Sequence, residues 1–119
     1  MGGQFVAHPD DLIEHEVRVV AGRADHPVLD GVAPAVRLTT EQYWVQTDAG
    51  CDVLATTTHA VREGAAWHEP VTVPAVWTRR WGAGRVFACT LGHTVETLGD
   101  PWVSRVVEQG MVWAARRSG

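Results

Sequence analysis

The chain has 119 residues and is 45% hydrophobic, which suits one domain with a core and excludes a disordered chain. Its formal charge is −4 and all ten basic residues are Arg. It therefore lacks the basic balance of a nucleic-acid-binding protein, and no apolar run is long enough to cross a membrane.

Met1 to His8 has no charged segment ahead of a long apolar run, so it does not read as a signal peptide. Val6 stands where a myristoylation signal needs Ser or Thr, which sets that modification aside. Phe5–Ala7 is too short to form an element alone, and His8–Asp11 reads as a turn or helix entrance. Glu14 to Val20 alternates as a strand does, and Ala21 to His26 is a polar loop. Pro27 to Gly31 suggests a single helical turn, with Pro27 at its first position and Gly31 as its stop. Val36 to Gln46 mixes apolar and polar residues. Cys51 to Thr57 is β-branched enough for a strand, and Thr58 to Val71 reads as a long exposed loop. Two cysteines, Cys51 and Cys89, show no metal or redox spacing and read as reduced thiols of a cytoplasmic protein.

The richest segment follows. Val73, Ala75 and Trp77 alternate with Pro74, Val76 and Thr78. Gly82 and Gly84 then mark a tight turn, and Val86 to Leu91 is almost wholly apolar, as a strand covered on both faces would be. This hairpin ends at Gly92–His93, where an imidazole is held just past a strand end. In open α/β sheets that edge is where ligands bind. Thr94 to Gly99 reads as a loop. Asp100 as N-cap and Pro101 at the first helical position open a helix. Its apolar face is predicted to be Val103, Val106, Val107, Gly110, Met111, Val112 and Trp113, with Arg116 and Arg117 in the last turn.

His93 is the first candidate for chemistry. Neutral imidazole serves as acid, base or metal ligand, and the plain alternative is a loop-anchoring histidine. His8 and His26 each precede Pro, which fixes the direction of the ring. Their separation in sequence is not that of a zinc motif, so they read as separate loop histidines, and no metal is expected. Glu41 and Tyr43 can supply a carboxylate and a hydroxyl to a sugar, or can be a solvent-facing acid and a core ring on one strand. Arg85 can hold an anionic or hydroxyl-rich ligand or bond a turn carbonyl. Trp44, Trp67, Trp77 and Trp81 can stack on a sugar, with Trp77 and Trp113 expected in the core and Trp67 expected in an open loop. Cys89 sits mid-strand rather than at a nucleophile elbow and reads as an inert thiol. The residues name no cofactor.

An ordered series of segments runs nearly end to end. It comprises Gly2–Phe5, His8–Pro9, His26–Val28 with Gly31, Glu41–Tyr43, Val53–Thr56 and Val76–Trp77 with Arg79. It continues through Trp81–Phe87, Leu91–His93, and Gly110 with Trp113 and Ala114. The series resembles the C-terminal half of ThuA-like trehalose-utilisation domains. That resemblance implies an α/β fold, a partial flavodoxin-like sheet of the class I glutamine amidotransferase type, with a β-hairpin and a C-terminal helix. It also implies a part in the metabolism of trehalose, a related disaccharide or a keto-sugar. On this reading residues 1–119 are one ThuA-like domain without its N-terminal βα units, because Met1 stands where those units would end. Parallel strands from that missing half would cover Val53–Thr57 and Val86–Leu91. Their absence leaves an edge that a second copy or a partner chain would complete. The resemblance favours His93, Glu41 and His8 as catalytic residues and Tyr43, Trp67 and Arg85 as binding residues for a small sugar. The alternative is a non-catalytic sugar-binding or sheet-completing module, or an inactive fragment.

Overall fold

The computed structural model describes residues 1–116. Strands β1 (Gly3–Ala7), β2 (Ile13–Val19), β3 (Ala35–Thr40), β4 (Trp44–Thr47), β5 (Asp52–His59), β6 (Val71–Trp81) and β7 (Gly84–Cys89) precede two helices, α1 (Val95–Leu98) and α2 (Pro101–Ala115). A 3₁₀ turn at Pro27–Leu29 lies between β2 and β3, with His26 capping it through Nδ1. β1 and β4 pair as a two-stranded ribbon, and the other strands form a five-stranded sheet in the order β3-β2-β5-β6-β7. Among the described residues every pairing is antiparallel, so this is a small mixed α/β domain with a curled antiparallel sheet and a C-terminal helix.

The hairpin forms as its sequence suggests. Trp81 pairs with Gly84 across a two-residue turn, and Gly82 sits at φ 57°, which is accessible to glycine without strain. Pro74 lies inside β6, where it donates no hydrogen bond. The facing strand shifts register between Ala55 and Thr56 there, the usual accommodation of a strand proline.

Two clusters hold the sheet. α2 covers one face, with Trp102, Val103, Val106 and Trp113 buried against Val17, Leu38, Leu54 and Val76. Gly110 lets it approach closely, since a Cβ there would stand 2.4 Å from the Phe87 ring. Asp100 caps the helix by accepting from the Trp102 and Val103 N–H groups at 2.9 and 3.2 Å. Trp77, next to Val76 and so on the other side of the pleat, joins Val45 and Ala88 in a second cluster under the ribbon. Its indole N–H donates to the Met1 carbonyl at 3.1 Å.

Several expectations need correction. Phe5–Ala7 does form an element, because β4 supplies the partner that local reading lacked. The Val53–Thr57 strand has no open edge, since β5 lies between β2 and β6. The free edges of the large sheet are β3 and β7. Thr58 and His59 end β5 rather than opening a loop, and Thr94–Gly99 contains the short helix α1, capped by Thr94. On α2, Met111 and Val112 face solvent while Trp102 is buried. Arg117 lies outside the described residues.

Candidate functional site

The register brings one set of chain ends together. Ile13 pairs with Thr40, and His59 pairs with Val71, so the start of β2 and of β6 and the end of β3 and of β5 share one rim of the sheet. His8 precedes β2, Glu41 follows β3, Tyr43 precedes β4, and His93 follows β7. These residues are far apart in sequence and meet in space. His93 Nδ1 lies 3.2 Å from one Glu41 carboxylate oxygen, and His8 Nε2 lies 3.9 Å from the other. The Glu41 side chain is 13% exposed, against 37% for His8 and 42% for His93, so the carboxylate sits beneath two solvent-facing rings.

Hydrogen bonds assign the proton positions in these rings. His93 approaches the carboxylate with Nδ1, so in the neutral ring that nitrogen carries the hydrogen and Nε2 presents a lone pair. His8 Nδ1 donates to the Asp10 carbonyl at 3.2 Å, which likewise leaves Nε2 as an acceptor when the ring is neutral. Tyr43 completes the group. Burial, followed by the charge and hydrogen-bonding reach of Glu41, pushes its phenol above the ordinary value, so it remains a hydrogen-bond donor. Phe5 packs edge-on against Tyr43 at 5.0 Å, and His8 lies 6.3 Å from the same ring. One carboxylate, two imidazoles and a protonated phenol are the parts of a general acid–base site.

The two other residues singled out from the sequence lie elsewhere. Trp67 does not stand open in its loop. It packs edge-on against Trp44 at 5.3 Å and His59 at 6.1 Å, with the Arg62 guanidinium over its ring at 4.9 Å. This cluster backs the site, because His59 Nε2 donates to the Tyr43 carbonyl at 3.3 Å. His59 is fully buried, and desolvation holds its pKa below the ordinary value, as it does for His15. Sequence reading missed His59. Its one signal was its place at the end of the alternation Val53, Ala55, Thr57. Arg85 belongs to the opposite end of β7, where it donates to the Trp113 carbonyl at 3.3 Å and lies 5.0 Å over that indole.

Among the described residues no three His, Cys, Asp or Glu side chains gather in a way that could hold a metal ion. Cys89 is half-buried, and desolvation pushes its thiol up to about 11, so it is protonated at neutral pH. Among the described residues no helix is long and apolar enough to cross a membrane.

A small mixed α/β domain with a curled antiparallel sheet and a C-terminal helix is the class this architecture defines. The family model for trehalose utilisation, ThuA, matches residues 1–114, and the chain belongs to that family. A crystal structure of a ThuA-like protein from Parabacteroides merdae shares the fold, with a TM-score of 0.64 and 24% identity. The match covers 95% of this chain and 40% of that one, so the present chain spans well under half the length of that relative. No curated protein matches the chain.

Proposed function

We propose that the protein acts in carbohydrate metabolism, on trehalose, a related disaccharide or its keto derivative, through proton transfer at the Glu41 rim. The observation that carries this reading is the His93–Glu41 contact at 3.2 Å with His8 on the other carboxylate oxygen. A carboxylate holding Nδ1–H of an imidazole orients the ring and supports positive charge on it, so Nε2 of His93 is the proton acceptor. With a keto-sugar bound, Nε2 takes the proton from the carbon beside the carbonyl. The electron pair moves to the carbonyl oxygen, and the Tyr43 O–H hydrogen-bonds the developing oxyanion. Return of the proton to that carbon, from either face, re-forms the carbonyl and closes the cycle without an oxidant or reductant. His8 is placed to move a proton on the other side of Glu41. Family membership supports the sugar class.

The test is turnover, or proton exchange with solvent, on trehalose and its keto derivative, compared between the intact chain and Glu41→Gln. No exchange and no binding with any of these sugars would refute the proposal.

A second reading has its own observation. β7 is an edge strand whose only described partner is β6. We infer that this edge can be completed by a second copy or a partner chain, within a flavodoxin-like domain of which these residues are one part. On this reading the protein is a cytoplasmic sugar-binding or sheet-completing module. Light scattering on the purified chain separates the two readings. A monomer that turns over sugar favours the first, and an oligomer that binds without turnover favours the second.

A further inference from the structure

β2 and β5 part before either strand ends. They pair only from Val17–Thr57 to Val19–Ala55, yet β2 begins at Ile13 and β5 runs on to His59. Gln42 enters this fork, its side-chain amide donating to Thr57 Oγ1 at 2.7 Å and to the Thr58 carbonyl at 3.0 Å. Thr57 Oγ1 in turn donates to the Glu16 carbonyl at 2.9 Å, so side chains meet a carbonyl of each parted strand. A cleft of about 530 Å³ opens at the fork, within the size range of small-molecule sites.

Register decides what walls the cleft. Val17 packs under α2, so the alternate positions Glu14, Glu16 and Arg18 point to the other face of the sheet. On that face Arg37 lies opposite Glu16, Thr56 opposite Arg18 and Thr72 opposite Thr58, and all of these line the cleft. Their charges cancel locally. Arg18 pairs with Glu16 at 3.0 Å and Arg37 with Glu14 at 2.8 Å, and Arg62, also on the wall, pairs with Asp10 at 2.5 Å. The Thr58 and Thr72 hydroxyls share a hydrogen bond of 2.8 Å. Such a wall offers donors and acceptors in balance, which suits a neutral polyhydroxyl ligand rather than an ion. Exposed ion pairs are individually worth little, so sugar hydroxyls can share their oxygens and N–H groups at small cost. The cleft also borders the rim. Gln42 follows Glu41 in the chain, and Arg62 holds Asp10, whose carbonyl accepts from His8.

We propose that this cleft is a second sugar subsite, which takes one ring of a disaccharide while the other ring stands at Glu41. The inference rests on the acid–base reading of the rim and names the substrate class for it: an uncharged sugar of two rings, not a single hexose or a sugar phosphate. The Thr56, Thr58 and Thr72 hydroxyls and the paired charges of β2 and β3 bind the second ring, and none of them takes part in proton transfer.

The experiment is calorimetric titration with trehalose and, separately, with glucose, on the intact chain and on Glu41→Gln. Trehalose is expected to bind at least about tenfold more tightly than glucose in both proteins, the worth of one or two added hydrogen bonds. Thr58→Val and Arg37→Gln alter exposed strand residues and leave the core untouched. Each is expected to weaken trehalose binding about threefold to tenfold and to leave glucose binding as in the parent. Failure of the rim reads differently: proton exchange is then absent from the intact chain, while the preference for trehalose and its loss in the two variants persist and support the cleft. Equal affinity for trehalose and glucose, or a preference unchanged in both variants, would overturn the subsite even where exchange at Glu41 stands.

Discussion

The two ends of the sheet solve opposite electrostatic problems with the same strands. At one rim a nearly buried carboxylate is shared by two imidazoles, with His93 at 3.2 Å and His8 at 3.9 Å. At the other, guanidiniums from adjacent strands crowd over one indole. The first end is assembled from loops beyond the strand termini. The second is built on the strands themselves, where a like-charge pair is held in place by the ladder. The difference lies in construction: one end is made of groups carried on loops past the strand termini, the other of groups carried on the strands.

Substitutions sharpen this contrast. The largest effect belongs to Glu41→Gln, which removes the charge that orients His93. Sugar turnover should fall about 10²- to 10⁴-fold, the usual worth of a general acid–base group. Arg116→Gln should leave turnover unchanged, and a loss there would merge two ends that we hold to be separate. Next comes the pair His93→Gln and His8→Gln. The nearer ring should cost more in kcat, about 10²-fold, and equal losses would mean that Glu41 does not discriminate between them.

Gly110→Ala tests the scaffold that both ends share. A Cβ stands 2.4 Å from Phe87, so the helix or the ring must shift, at about 1–3 kcal/mol by denaturant unfolding. Both ends should lose stability together. Smaller still is the effect of acid. His15 and His59, behind the rim, and His26, at the arginine end, are all held below their ordinary pKa chiefly by burial. The unfolded chain then binds more protons than the native one below about pH 6.5. Stability should be full above that value and fall as pH drops through the folded-state values. His59→Gln should flatten this dependence in a series of melts. The smallest effect is Asp100→Ala, which removes the α2 cap at about 1 kcal/mol and should spare the Glu41 rim and the cleft beside it.

The two ends were not equally legible in the sequence. The hairpin and α2 were plain, because turn glycines, alternation and an Asp–Pro helix start are local signals. Trp113 and Trp77 were placed in the core correctly for the same reason. β1 was not legible, since its stability comes from pairing with β4 some 40 residues on. His8, Glu41 and His93 could be named as chemically able residues. Only the pairing of Ile13 with Thr40, and the rim it defines, brings them to one place. Trp67 has no local signal of burial, because the loop that carries it folds back onto Trp44 and His59 only in three dimensions. The turn at Gly82 sets Arg80 opposite Arg85, a pairing that counting back from the glycine gives directly.

The account rests most heavily on proton transfer at Glu41. Its most direct test is deuterium incorporation beside the carbonyl of a keto derivative of trehalose, followed by NMR in D₂O. The account predicts exchange catalysed by the intact chain and slowed at least about a hundredfold by Glu41→Gln. Equal exchange rates in the two proteins would contradict it.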